Sequence, residues 1–462
     1  MHGELLTLLM TSKRLVLLVA ALSGFLTSSS LSTVGVAVPA IARELAMDAP
    51  TSGWVLTSFL LACTVFLVPM GRVADIKGRK RAFALGNALF VASSMLCGLS
   101  TSAETMLGLR FVQGVGGAMV FATGVALVSS VFPPRERGRA LGLYTSSVYV
   151  GLTAGPLIGG ALTGLLSWRY VFFFNVPLGC LVAALTLSRL KGEWVEAKGE
   201  GLDLAGSVMY GLATASLVVG LSLKSLVGVV LGTALLAMFV LWELRERWPV
   251  LEVRLFKDVT FAFSNLAALI NYSATYAVSY ALSLYLQHVK GMPPHHAGLV
   301  LTAQPAVQAL VSPLAGYAAD RVEPRVVASM GMALTAAGLW SLSGIGLETS
   351  VASIIMGLVS VGAGLGLFVS PNTKAIMGSV SSKFYGVASA MTATMRNLGQ
   401  AMSMAIITLL MISFLGAGAR IEPSVHSIFV DCLRTTFQIF SGMCFVGVAA
   451  SLARRRLRSP SA

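Results

Sequence analysis

The chain is short of charge, and shortest of negative charge. Only 11% of its 462 residues are charged, with 19 Asp and Glu against 33 Lys and Arg. Soluble domains carry about twice that fraction, so a water-soluble globular protein is excluded. The five cysteines, Cys63, Cys97, Cys180, Cys432 and Cys444, show no paired spacing and fall mostly in apolar runs. Neither a disulfide framework nor a metal site follows from them. There is no GK[ST] phosphate loop and no nucleophile set beside a base, so nothing in the sequence points to an enzyme or to a resident cofactor.

What the chain has instead is apolar length, 56% hydrophobic residues arranged in long runs. Spans of about 20 apolar residues are expected at 15–38, 54–70, 82–100, 106–132, 141–165, 170–190 and 204–223. Seven more follow at 225–241, 260–286, 297–319, 326–345, 351–369, 388–414 and 435–452. Thirteen spans beyond the first mark Lys13 and Arg14 as flanks of a retained helix rather than of a cleaved signal. With both termini in the cytoplasm, inner loops hold 25 Lys and Arg, outer loops hold 6, and Arg110 and Arg396 fall within spans. This asymmetry satisfies the positive-inside rule. Orientation and attraction to anionic lipid account for the net charge of +14 without nucleic acid as a partner.

Residues 71–81, GRVADIKGRKR, form a short basic loop after the second span, with Gly71, Asp75, Gly78 and Arg79. Asp75 can close such a loop by pairing with a basic group or a helix end; the alternative is a plain orienting anchor. A second copy, GYAADRVEPR at 316–325, repeats the spacing with Gly316, Asp320 and Arg321. Gly316 follows Gly71 by 245 residues, more than six spans and their loops need, and the excess fits one hairpin at 204–241. The chain divides accordingly into a six-helix bundle at 1–190, a linker with an inserted two-helix hairpin at 191–258, and a second six-helix bundle at 259–462.

Polar residues inside spans are costly and should face a cavity or a partner helix. On this ground Arg110 and Gln113, Gln304 and Gln308, and Arg396, Asn397 and Gln400 are candidates for a substrate path, with interhelical bonding as the alternative. The ninth span places Asn265, Tyr272 and Tyr276 near one face with Ser279, Tyr280, Ser283 and Gln287, a pattern suited to an amphipathic cavity. Two cations in an otherwise uncharged interior favour anionic or zwitterionic solutes. Residues 151–160, GLTAGPLIGG, put four glycines and a proline into one span. Gly151, Gly155, Gly159 and Gly160 permit close packing, and Pro156 removes a helix hydrogen bond, so the segment reads as a hinge or gasket.

These motifs, in order and at the right depths, resemble the major facilitator superfamily in its fourteen-span drug/proton antiporter branch, over essentially the whole chain. GRVADIKGRK resembles the family's loop between the second and third spans, RFVQGVGGA from Arg110 its fourth-span motif, and GLTAGPLIGG the fifth-span antiporter motif. WRYVFFFNVPLG at 168–179 and RNLGQAMS at 396–403 resemble stretches associated with the branch. The resemblance implies an all-helical fold of about fourteen spans, alternating access, multidrug-type export of a small molecule, proton antiport, and a plasma-membrane location. The first span departs from the pattern, with Ser30 where the branch carries an aspartate. All 19 acidic residues lie in loops or at span ends, so the residues supply no proton carrier within the membrane. That leaves open an uncoupled facilitator or importer of organic anions or lipid-like solutes, and a non-transporting membrane receptor or scaffold.

Overall fold

The structure, a computed structural model, describes residues 2–190, 192–380 and 385–453; Met1 and residues 454–462, where the termini lie, are outside that range. The first part holds α1 (His2–Glu44), α2 (Ala49–Lys77), α3 (Arg79–Gly98), α4 (Ala103–Val131), α5 (Pro134–Leu165), α6 (Arg169–Phe173) and α7 (Asn175–Arg189). A hairpin of α8 (Leu204–Ser222) and α9 (Leu226–Glu243) follows. Then come α10 (Val259–Leu284), α11 (Pro294–Arg321), α12 (Pro324–Leu342), α13 (Val351–Gly378), α14 (Tyr385–Leu415) and α15 (His426–Leu452). Lipid offers the backbone no hydrogen bonds, so apolar runs of this length close their own as helices. Their starts are set by side chains that accept from the first free amides: Asp48 from Thr51, Asp203 from Gly206, Asp258 from Phe261.

Among the described residues thirteen spans, with α6 and α7 counted as one, are long and apolar enough to cross a membrane. The exception is α10, which carries Asn265, Asn271, four serines and three tyrosines between residues 264 and 283. It escapes the cost because neighbouring helices enclose it. It packs against α14, α15, α13 and α1, and Leu266 is its only exposed side chain.

The helix pairs of the first bundle recur in the second. In the first, α1 packs on α5, α4 lies between α2 and α3, and α7 lies beside α3. In the second, α10 packs on α14, α13 lies between α11 and α12, and α15 lies beside α12. The two bundles meet through α2 on α14 and α5 on α11, contacts that exchange under the same correspondence. The hairpin docks through α8 on α2 and α14.

The glycines of α5 divide between two neighbours. A methyl on Gly151 would stand 2.5 Å from the Phe25 carbonyl, and one on Gly159 would stand 2.5 Å from the Thr33 carbonyl, while one on Gly155 would collide with Ser32 Oγ. These three seat α5 on α1. Gly160 faces the other way, where a methyl would stand 3.1 Å from Gly298 Cα on α11, and a methyl on Gly298 would collide with the Pro156 carbonyl. The contact between bundles is therefore made at backbone level.

Gly159→Ala should lower the thermal unfolding midpoint of the detergent-purified protein, at a cost of about 1–3 kcal/mol for forced overpacking. Gly108→Ala, where a methyl meets nothing within 4 Å, should leave the midpoint unchanged or raise it slightly. Equal midpoints for the two variants would contradict this packing.

Candidate functional site

A cavity of about 140 Å³ lies between the bundles. From α10 it is lined by Tyr272, Thr275, Tyr276, Ser279 and Tyr280, from α11 by Gln304 and Gln308, and from α14 by Arg396, Asn397 and Gln400. The first bundle contributes Ser28 and Ser32 from α1, Phe59 and Cys63 from α2, Phe121 from α4, and Tyr149 and Pro156 from α5. Among the described residues no carboxylate and no histidine lines it. Seven of the residues nominated from sequence for a substrate path thus share one chamber.

Four others do not reach it. Arg110 is fully buried among α2, α3 and α4. Its Nε donates to the Val55 carbonyl at 2.8 Å, and its Nη1 donates to Gln113 Oε1. Gln113 Nε2 passes the link on to Ser94 Oγ at 2.6 Å. The guanidinium carbon lies 4.6 Å from the centre of the Phe59 ring. This is a staple across three helices, the interhelical alternative to a cavity cation. Ser30 accepts from Asn175 Nδ2 of α7 at 3.3 Å, and Asn265 donates to the Phe261 carbonyl of its own helix at 2.9 Å. Each has turned toward its own bundle, because a helical face shared in sequence does not fix which neighbour that face meets.

Arg396 contrasts with Arg110. Among the described residues no hydrogen bond or ion pair engages it; its guanidinium carbon lies 5.8 Å from the Phe121 ring centre across the cavity. Asn397 Nδ2 beside it and Gln304 Oε1 on α11 are buried without partners. The chamber thus holds unspent donors and an acceptor, with aromatic rings for the apolar part of a guest.

One mouth of the cavity is sealed. At the face bearing the α1–α2 turn, Ser52 pairs with the Tyr280 hydroxyl at 2.9 Å and Gln287 Nε2 donates to the Val36 carbonyl at 2.9 Å. Ala49 N donates to the Ala419 carbonyl at 2.8 Å, and Gly418 N donates to Asp48 Oδ2 at 2.8 Å. Among the described residues the hydrogen bonds joining the bundles lie at this face or at the level of the cavity, where Thr153 Oγ1 donates to the Pro305 carbonyl at 3.2 Å.

The opposite face carries both copies of the basic segment, and they are helical rather than the loops expected from sequence: residues 71–77 end α2, Gly78 alone separates it from α3, and residues 316–321 end α11. Asp75 accepts from Arg79 at 2.8 Å, and Arg79 also reaches Ser130 and the Ala126 carbonyl at the end of α4. Gly78 takes φ +119°, a conformation that excludes a side chain. In the second copy Asp320 pairs with Lys374 near the end of α13, the counterpart of α4, and Arg321 lies over the Tyr317 ring at 4.3 Å. Gly71 and Gly316 sit where α2 approaches Ala122 and α11 approaches Ser370. Asp320 thus bonds the fourth helix of its bundle directly, whereas Asp75 is linked to the fourth helix of its bundle through Arg79.

Sequence reasoning missed two features here. Tyr149, Leu152 and Pro156 form a cavity-facing stripe on α5 at steps of three and four, legible beside the glycine pattern. The linker after α7 also straps the first basic loop. Glu193 accepts from the Lys80 amide at 2.7 Å and pairs with Arg81 at 3.6 Å, Glu196 pairs with Arg79 at 3.2 Å, and Glu200 pairs with Arg72. Trp194 packs against the buried cluster that includes Val16, Phe83 and Leu190, and its carbonyl accepts from the Arg79 amide at 2.9 Å.

Repeated six-helix bundles around a central chamber define a polytopic membrane carrier. The Major Facilitator Superfamily model matches residues 20–244 and 265–462, and the chain belongs to that family. It is 28% identical to the riboflavin transporter RibZ of Clostridioides difficile (strain 630) over 442 residues, 95% of this chain and 97% of that one. It is 32% identical to the multidrug resistance protein Stp of Mycobacterium tuberculosis (strain ATCC 25618 / H37Rv) over 403 residues, 85% of this chain and 74% of that one. The same fold occurs in a bacterial homolog of the human lysosomal transporter Spinster, in an inward-facing and unoccupied conformation. That match has a TM-score of 0.67 at 18% identity, covering 97% and 99% of the two chains. The fourteen-span drug/proton branch is consistent with these relatives.

Arg110→Met should cost about 3 kcal/mol of stability by leaving the Val55 carbonyl and Gln113 without their donor, read as a lowered unfolding midpoint. Relative affinities of the folded variant for a set of ligands should stay unchanged. A shifted ligand preference at unchanged stability would place Arg110 in the chamber instead.

Proposed function

We propose that this carrier works by alternating access in the plasma (inner) membrane, exporting an amphipathic small molecule, with protons as the counter-ion. The observation that carries the reading is the chamber itself, built from both bundles, polar and aromatic, and sealed at one mouth only by bonds that cross between bundles. The basic-loop face is taken as cytoplasmic, with both termini there, since that side concentrates Lys and Arg. In this conformation the chamber is shut toward the outside. The bundles correspond to 1–190 and 259–462, with 191–258 as linker and hairpin, and the unit is a monomer in lipid. Asp75 with Arg79, and Asp320 with Lys374, act as latches on the cytoplasmic side. The α5 turn at Pro156, pressed on Gly298, acts as the outer gasket.

Export draws support from GLTAGPLIGG and from relatives named for multidrug resistance and for cephamycin export. Proton antiport rests on family resemblance. A second reading, an uncoupled facilitator or importer of organic anions or lipid-like solutes, is favoured by one observation, the lack of a carboxylate on the cavity wall among the described residues.

Transport of an amphipathic dye in proteoliposomes, with a pH gradient imposed or collapsed, separates the two readings. Proton antiport predicts rates several-fold higher with the gradient, whereas equal rates would sink the coupling and leave the facilitator. Pro156→Ala should slow turnover several-fold while sparing the unfolding midpoint; normal transport by that variant would refute a mechanical role for the proline.

A further inference from the structure

We infer that the chamber binds its guest by an anionic group placed at Arg396, so that the substrate class is an aromatic or amphipathic organic anion. This rests on the transport reading for its purpose, though not for the binding itself.

Arg396 is the only charged side chain that lines the chamber among the described residues. Its counterpart in sequence, Arg110, lies outside the chamber and donates to the Val55 carbonyl and Gln113, whereas among the described residues Arg396 has no hydrogen-bonding partner and lies 5.8 Å from the Phe121 ring centre. A guanidinium walled by helices and left without a counter-charge creates a positive field that water screens poorly. A carboxylate or sulfonate arriving there gains a bidentate, charge-assisted pair, and an organic cation meets repulsion with no acid to offset it. Further donors stand on the same helix: Asn397 Nδ2, buried and unpaired, and the Gln400 amide one turn on. Facing them, Tyr272 and Tyr276 supply aromatic surface for the rest of the guest. A site for lipophilic cations would need the reverse, an acid among aromatics.

The test compares two xanthene dyes of similar ring shape and opposite charge, anionic fluorescein and cationic rhodamine 6G. Binding to the purified full-length chain is read by fluorescence anisotropy, and exchange is read in proteoliposomes. Fluorescein should bind more tightly than rhodamine 6G, by about tenfold or more. Arg396→Gln should weaken fluorescein by about tenfold while leaving rhodamine 6G unchanged or improved. Arg396→Lys should recover part of the loss and serves as the folding control. Tighter binding of the cation, fluorescein binding that survives Arg396→Gln, or no binding of either dye would overturn the proposal. Arg396-dependent fluorescein binding without exchange would uphold the anion site and count against the transport reading instead.

Discussion

The architecture depends on how closely α5 can approach its two neighbours. Side chains hold ordinary helices 8–10 Å apart, but Gly151, Gly155 and Gly159 leave α1 and α5 in contact at backbone level. Rotated from these, Gly160 makes a similar contact with Gly298 of α11. A stripe of Tyr149, Leu152 and Pro156 is left between the two glycine faces and points into the chamber. One helix is thus bolted to its own bundle, rests on the other bundle, and lines the space between them. A van der Waals contact without side-chain interlock can part and re-form at little cost, as a gasket requires.

Within that frame the two arginines inside spans have opposite fates: Arg110 is buried, and Arg396 is only partly covered. Arg110 is enclosed by α2, α3 and α4, and its charge is dispersed over a carbonyl, an amide and a ring. Arg396 stands where the bundles separate, and its charge is held for whatever enters. The difference lies in position relative to the cavity, since residue type and depth are alike. The polar face of α10 is tolerated on the same principle, because helices and the chamber enclose most of it and Leu266 is its one exposed side chain.

Much of the fold was legible in the sequence. Apolar runs placed every span, but polar ends carry several helices further: α1 begins 13 residues before the expected 15–38, α13 ends 9 residues beyond 351–369, and the sixth span is split at Phe174 into α6 and α7. The repeated glycine–aspartate spacing located corresponding ends of α2 and α11. The site was legible in part. Periodicity could nominate Tyr272, Tyr276, Gln304, Gln308, Arg396, Asn397 and Gln400 because each lies on a coherent polar face. It could not separate these from Ser30, Arg110, Gln113 and Asn265, since the rotation of a helix against its neighbours is a property of the packed bundle. The strap formed by Glu193, Glu196 and Glu200 was hidden for a related reason: a loop's partners lie far away in sequence, and composition shows only that it is polar.

Relative motion of the two bundles about the chamber is the central claim, and paired spin labels measure it most directly. One pair would sit at Arg139 on α5 and Val322 after α11, on the basic face; the other at Leu165 and His296, on the sealed face, with Cys180 replaced by serine. Distances between labels in lipid would be recorded by pulsed electron resonance, with and without a transported dye. The account predicts two populations in each pair, the basic-face distance shortening as the sealed-face distance lengthens. A single distance in each pair, unmoved by the dye, would contradict it.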